Sequence, residues 1–138
     1  MLRWLQSYVD RLEDRFRPPC SVGERGERLA ARFLRDAGYR IIARNWRGRT
    51  GELDLIAARG SVVLFVEVKT RHAHSSESAR EAITAAKQRQ IARVASEWWQ
   101  RYGRFGNSLR LDVITVVLGQ NDDLVELEHI EQAFDSPL

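Results

Sequence analysis

At 138 residues, with 43% apolar and 30% charged side chains, the chain has the length of one domain with one core, and its composition excludes a disordered polymer. A lone cysteine, Cys20, excludes an internal disulfide and a cysteine-based zinc cluster, and no apolar stretch approaches the roughly 20 residues of a membrane helix. The net charge of +3 is uneven: residues 120–138 hold six acids and no Lys or Arg, which leaves +9 on residues 1–119 and fits either a polyanionic partner such as nucleic acid or a coat of solvated arginines.

In chain order, Leu2, Leu5, Val9, Leu12 and Phe16 recur at spacings of three and four and predict an amphipathic helix over residues 2–16, broken by Pro18-Pro19. Arg3, Asp10, Arg11, Glu13 and Asp14 punctuate this segment, so it does not read as a signal peptide, and a cytoplasmic protein is expected. A second helix is predicted over residues 23–37, with Leu29, Ala30, Phe33, Leu34 and Ala37 as its apolar stripe and Gly38 as its stop. Residues 39–47, 52–58 and 62–69 read as three strands. The short Arg59-Gly60-Ser61 link makes the last two an antiparallel hairpin. Polar residues 70–78 read as a loop able to close over a substrate. A long helix is predicted over residues 79–102, with Ile83, Ile91, Val94, Trp98 and Tyr102 as its stripe. Residues 109–118 form a fourth strand and residues 124–128 a short edge strand. The expected class is α/β, one mixed central β-sheet flanked by helices in the order α-β-β-β-α-β. An N-terminal helix and proline linker (residues 1–20) precede the core (21–118), and an acidic extension (119–138) follows it.

Charge stands where this pattern leaves no room for it. The run Val62-Val63-Leu64-Phe65-Val66 has the composition of a strand buried on both faces, yet it continues as Glu67-Val68-Lys69. Alternation puts Glu67 and Lys69 on one face, and burying either charge is costly unless it meets a partner or a metal. A turn centred on Gly60 pairs residues whose numbers total about 120 or 121, which sets Asp54 opposite Val66 or Glu67. Two adjacent carboxylates with an open coordination sphere suit Mg²⁺, or Mn²⁺ in its place, and suggest a metal-dependent phosphodiesterase. Glu27 falls at the edge of its helix's apolar stripe and either faces the sheet as a third acid or simply stabilises the helix start. Lys87 lies inside the stripe of the long helix and either snorkels to solvent or reaches a phosphate. Arg89 and Arg93, one turn apart, and Arg47 and Arg49 beside Trp46 are candidate backbone-phosphate contacts or solvated surface. His72 and His74 read as exposed polar residues rather than zinc ligands.

The set Gly23-x-x-x-Glu27, Glu52-Leu53-Asp54 and Glu67-Val68-Lys69 resembles the PD-(D/E)xK nuclease superfamily. The phrases Arg44-Asn45-Trp46-Arg47, Gly51-Glu52-Leu53-Asp54-Leu55-Ile56 and Phe65-Val66-Glu67-Val68-Lys69 resemble its bacterial YraN family, whose core is similar to archaeal Holliday-junction resolvases. Leu53 stands where the superfamily's name has proline. The resemblance spans residues 21–118 and implies a restriction-endonuclease-like core and a Mg²⁺-dependent endonuclease of structured, including branched, DNA, acting alone or as a homodimer. It implies Glu27, Asp54, Glu67 and Lys69 as catalytic residues. Asp54, Glu67, the Val68 carbonyl and Glu27 would hold the ion, and Lys69 would orient the attacking water. The alternative is a nucleic-acid-binding protein that keeps the fold without catalysis.

Overall fold

Ser21 starts the first helix. Its hydroxyl accepts from the N–H of Glu24 at 3.2 Å, which satisfies one of the free donors of helix α1 (Val22–Asp36). The structure is a computed structural model that describes residues 20–74, 83–103 and 108–135; the helix expected over residues 2–16 lies outside them. Gly26, Leu29, Ala30, Ala31 and Leu34 form the buried face of α1. The chain then leaves through Gly38, whose φ of 93° is a left-handed conformation open to glycine at no steric cost. Phe33, expected in the stripe, is 38% exposed and sets its ring edge-on to His129.

Strands β1 (Arg40–Arg47), β2 (Glu52–Arg59) and β3 (Val62–His72) form an antiparallel meander, with Gly60 turning the second hairpin at φ 59°. Strand β4 (Ser108–Leu118) lies parallel to β3, and β5 (Leu124–Ile130) pairs antiparallel with β4. The sheet is therefore mixed, in the order β1-β2-β3-β4-β5, and the α-β-β-β-α-β order is the one expected. Helix α2 (Ala85–Tyr102) supplies the long crossover that a parallel pair requires.

The two helices cover opposite faces. Leu29, Ala30, Ala31 and Leu34 of α1 pack on Leu55, Ala57, Leu64, Val66, Val68, Ile114, Val116 and Leu118. Ile91, Val94, Ala95 and Trp98 of α2 pack on Leu53, Ile56, Val63, Phe65 and Leu111. Alternate residues of β3 thus feed two cores, which is why its sequence is apolar without a break.

Three sequence-based expectations need correction. Thr70, Arg71 and His72 belong to β3 and not to a loop: they pair with Val116, Val117 and Leu118, and that ladder outweighs their polar side chains. The long helix starts at Ala85, where the Thr84 hydroxyl accepts from the N–H of Lys87 at 3.1 Å. Ile83 therefore precedes the helix; residues 79–82 lie outside the described part. Tyr102 is 44% exposed and leans on Trp98, ring centroids 5.5 Å apart, at the margin of the second core.

Candidate functional site

The hairpin register runs from Arg59 opposite Val62 to Leu55 opposite Val66 and then stops, although the next position would set Asp54 against Glu67. Where the backbone ladder ends, a side chain replaces it: Asp54 Oδ2 accepts from the N–H of Val68 at 2.8 Å. The N–H and C=O of one strand residue face the same neighbour, so the Val68 carbonyl faces this gap too. The carboxylates of Asp54 and Glu67 lie within hydrogen-bonding reach of each other in the opening between β2 and β3.

Glu67 is only 6% exposed. Its Oε1 lies 3.7 Å from Lys87 Nζ, while its Oε2 is buried with no hydrogen-bond partner. Burial, followed by the charge of Asp54, pushes its carboxyl up to about 7, against the opposing charges of Lys87 and Lys69. Burial also raises Asp54, although the Val68 N–H and the Glu67 contact favour its ionised form. Lys87 sits in the first turn of α2, where the helix dipole disfavours a cation, and its Nζ faces the Glu67 carboxylate. Lys69 shares the Glu67 face, is half-buried, and forms no ion pair among the described residues.

Glu27 approaches the pair from α1, half-buried; burial and the charge of Asp54 raise its carboxyl above the ordinary value. Among the described residues no three His, Cys, Asp or Glu side chains group closely enough to form a ready-made metal cluster, so Glu27 is a neighbour of the pair and not its third close member. Its position is fixed by a residue the sequence reading did not single out. Asn45 adopts φ 49° and, with its amide nitrogen turned inward, donates to Glu27 Oε2 at 3.2 Å and to Glu52 Oε1 at 3.3 Å. The available signal was the residue type, since asparagine is among the few non-glycine residues that enter left-handed backbone readily.

The candidate basic residues border this centre. Arg47 and Arg49 flank the β1–β2 turn, which is fastened to α2: Glu97 accepts from the Arg49 N–H at 2.9 and 3.1 Å, and Gln90 donates to the Thr50 carbonyl at 3.1 Å. Arg47 pairs with Glu52 at 3.3 Å. Arg93, exposed and one helical turn from both Gln90 and Glu97, stands alongside that turn, and Arg89 is exposed one turn earlier. His72 and His74 stack at 5.1 Å, with His72 Nε2 3.6 Å from Asp122, and belong to no metal cluster among the described residues. No helix of the described residues is long and apolar enough to cross a membrane.

Comparison with known proteins covers the whole of this centre. Residues 26–116 match the family described as "Uncharacterised protein family UPF0102". The chain is similar to the UPF0102 protein of Rhodococcus jostii, at 46% identity over 114 residues, 83% of this chain and 96% of that protein. It is 50% identical to the UPF0102 protein of Symbiobacterium thermophilum over 113 residues, 82% of this chain and 95% of that one. With the Geobacter sulfurreducens UPF0102 protein it shares 43% over 114 residues, 83% and 88% of the two chains. The chain belongs to UPF0102, the YraN family, which is PD-(D/E)xK nuclease-like.

Proposed function

We propose that this UPF0102 member is a divalent-cation-dependent endonuclease that hydrolyses phosphodiester bonds of structured DNA, branched DNA included. One observation carries the reading: the half-buried carboxylate of Asp54 and the buried carboxylate of Glu67 come within hydrogen-bonding reach where the β2–β3 ladder opens, and Glu67 Oε2 is left without a partner among the described residues. Without a cation such a pair is a net cost to the fold, and a hard divalent ion would remove it.

The donors fit Mg²⁺, with Mn²⁺ as substitute: two carboxylates and the Val68 carbonyl would hold the ion, and Glu27 would reach it through water. When bound, the ion would supply Lewis-acid polarisation of the scissile phosphate and a more acidic water. Lys69, on the Glu67 face, orients the attacking water and offsets charge developing on the phosphoryl oxygens. Lys87, whose Nζ lies 3.7 Å from Glu67 Oε1, is an auxiliary phosphate contact. Asn45 holds Glu27 and Glu52 in place. Arg47, Arg49, Arg89 and Arg93 contact backbone phosphates, which position a duplex without reading its sequence.

The test is cleavage of labelled duplex, flap and four-way branched DNA by the full chain with Mg²⁺ or Mn²⁺. Cutting is expected, with a loss of about 10²–10³-fold or more in Glu67→Ala and in Lys69→Ala. Binding without cleavage of any substrate by either ion would identify a catalytically silent nucleic-acid-binding protein. Neither binding nor cleavage would leave only a structural role.

A further inference from the structure

The geometry points to Arg71 as a phosphate-holding residue of the same site, gripping the backbone phosphate next to the one that is cleaved; the identity of that anion rests on the nuclease reading. Strand β3 keeps unbroken register with β4 from Val62 opposite Ser108 to His72 opposite Leu118. Alternation therefore holds to its end: Glu67, Lys69 and Arg71 project from the α2 face, while Val66, Val68 and Thr70 take the α1 face. Each two-residue step advances about 6.6 Å, so the row leads from the acid pair to Lys69 and then outward to Arg71. That row lies at the carboxyl end of a parallel strand pair, where α/β sheets commonly bind ligands.

The state of the Arg71 guanidinium singles it out. The residue is half-buried, its Nε is buried with no hydrogen-bond partner, and its Nη1 makes one bond, to the His72 carbonyl at 3.2 Å. Among the described residues it forms no ion pair. Among the described residues, the acids on that sheet face at this end are Glu126 and Glu128 of β5, opposite Val117 and Thr115 and two strands from Arg71. Arg110, a guanidinium the fold uses structurally, shows the contrast: Nε and Nη2 each donate to Asp112 at 2.9 Å, and Nη2 also reaches the Tyr39 hydroxyl at 3.2 Å. A half-buried cation with an unmet buried donor is unfavourable until an acceptor arrives. A phosphate arriving beside Lys69 supplies one, and the guanidinium fork matches it bidentately.

Fluorescence anisotropy of a labelled flap duplex, in buffer free of divalent cation and across a salt series, tests this on the full chain. Each duplex phosphate contact contributes about 0.9 to the slope of log affinity against log salt. Arg71→Met keeps the apolar stem and should bind more weakly, with a slope shallower by about one and an unchanged urea midpoint. Arg71→Lys should restore the slope without restoring full affinity. A wild-type slope in Arg71→Met, with or without a lower urea midpoint, overturns the assignment and makes Arg71 a structural residue. If the slope changes as expected but the wild type never cuts DNA, Arg71 stands as an anion contact and the nuclease reading falls. If the wild type binds no DNA, both fall.

Discussion

Raising the pH should weaken the cation-free protein, and Glu67 is the group responsible. Burial and Asp54 lift its carboxyl from an ordinary 4.5 to about 7. Between those values the unfolded chain has released the proton and the folded chain still holds it. Stability is therefore fully present below about pH 4.5, falls as pH rises through 7, and levels off above. Carrying one carboxyl across that interval is worth about 3 kcal/mol at most, spread over the Asp54–Glu67 pair. Glu67→Gln keeps the side chain's shape and removes its titration. Urea unfolding in EDTA, at intervals from pH 5 to 8, should show the wild type losing up to about 3 kcal/mol and the variant staying nearly flat. Saturating Mg²⁺ should reverse the wild-type trend, because the ion binds only the ionised pair. Parallel pH profiles for the two proteins would refute the idea that Glu67 is strained by its surroundings.

Three further outcomes follow from the packing. A Cβ at Gly26 would collide with Thr70 Oγ1, so Gly26→Ala should cost about 1–3 kcal/mol by urea unfolding, and Thr70→Ala should recover part of it. Glu97→Ala removes the carboxylate that accepts from the Arg49 N–H; a loss of about 1–2 kcal/mol and faster proteolytic nicking at residues 47–51 are expected. Burial would raise Asp112, but hydrogen bonds from His129, Arg110 and the Gln132 N–H hold its carboxyl below the ordinary value. Asp112→Ala should therefore cost about 3–5 kcal/mol at pH 7, a difference that shrinks as acid removes the same charge from the wild type.

The architecture was largely legible because it rests on local signals. Stripes at helical spacing, a β-branched run and the Arg59-Gly60-Ser61 link fix elements without reference to distant residues. The hairpin arithmetic holds as well, with Leu55 opposite Val66, because a two-strand register follows from its turn. What composition misjudged was the end of β3. Thr70–His72 look like loop until the parallel neighbour Val116–Leu118 is known, and that neighbour lies more than forty residues on. The start of α2 was misjudged for a related reason, since Ile83 fits the stripe by angle while Thr84 supplies the cap. At the centre, Asp54, Glu67 and Lys69 were readable as charges out of place. Asn45 was not, because its part depends on two carboxylates from different elements meeting one amide. Asp112 escaped notice likewise: its partners Arg110 and His129 converge only once β5 is laid beside β4.

Anomalous diffraction from crystals grown with Mn²⁺ tests the central claim most directly, since it needs neither the right substrate nor turnover. A single strong peak bound by both Asp54 and Glu67, facing the Val68 carbonyl, is the expected result. Full Mn²⁺ exposure with no peak between the two carboxylates would contradict it.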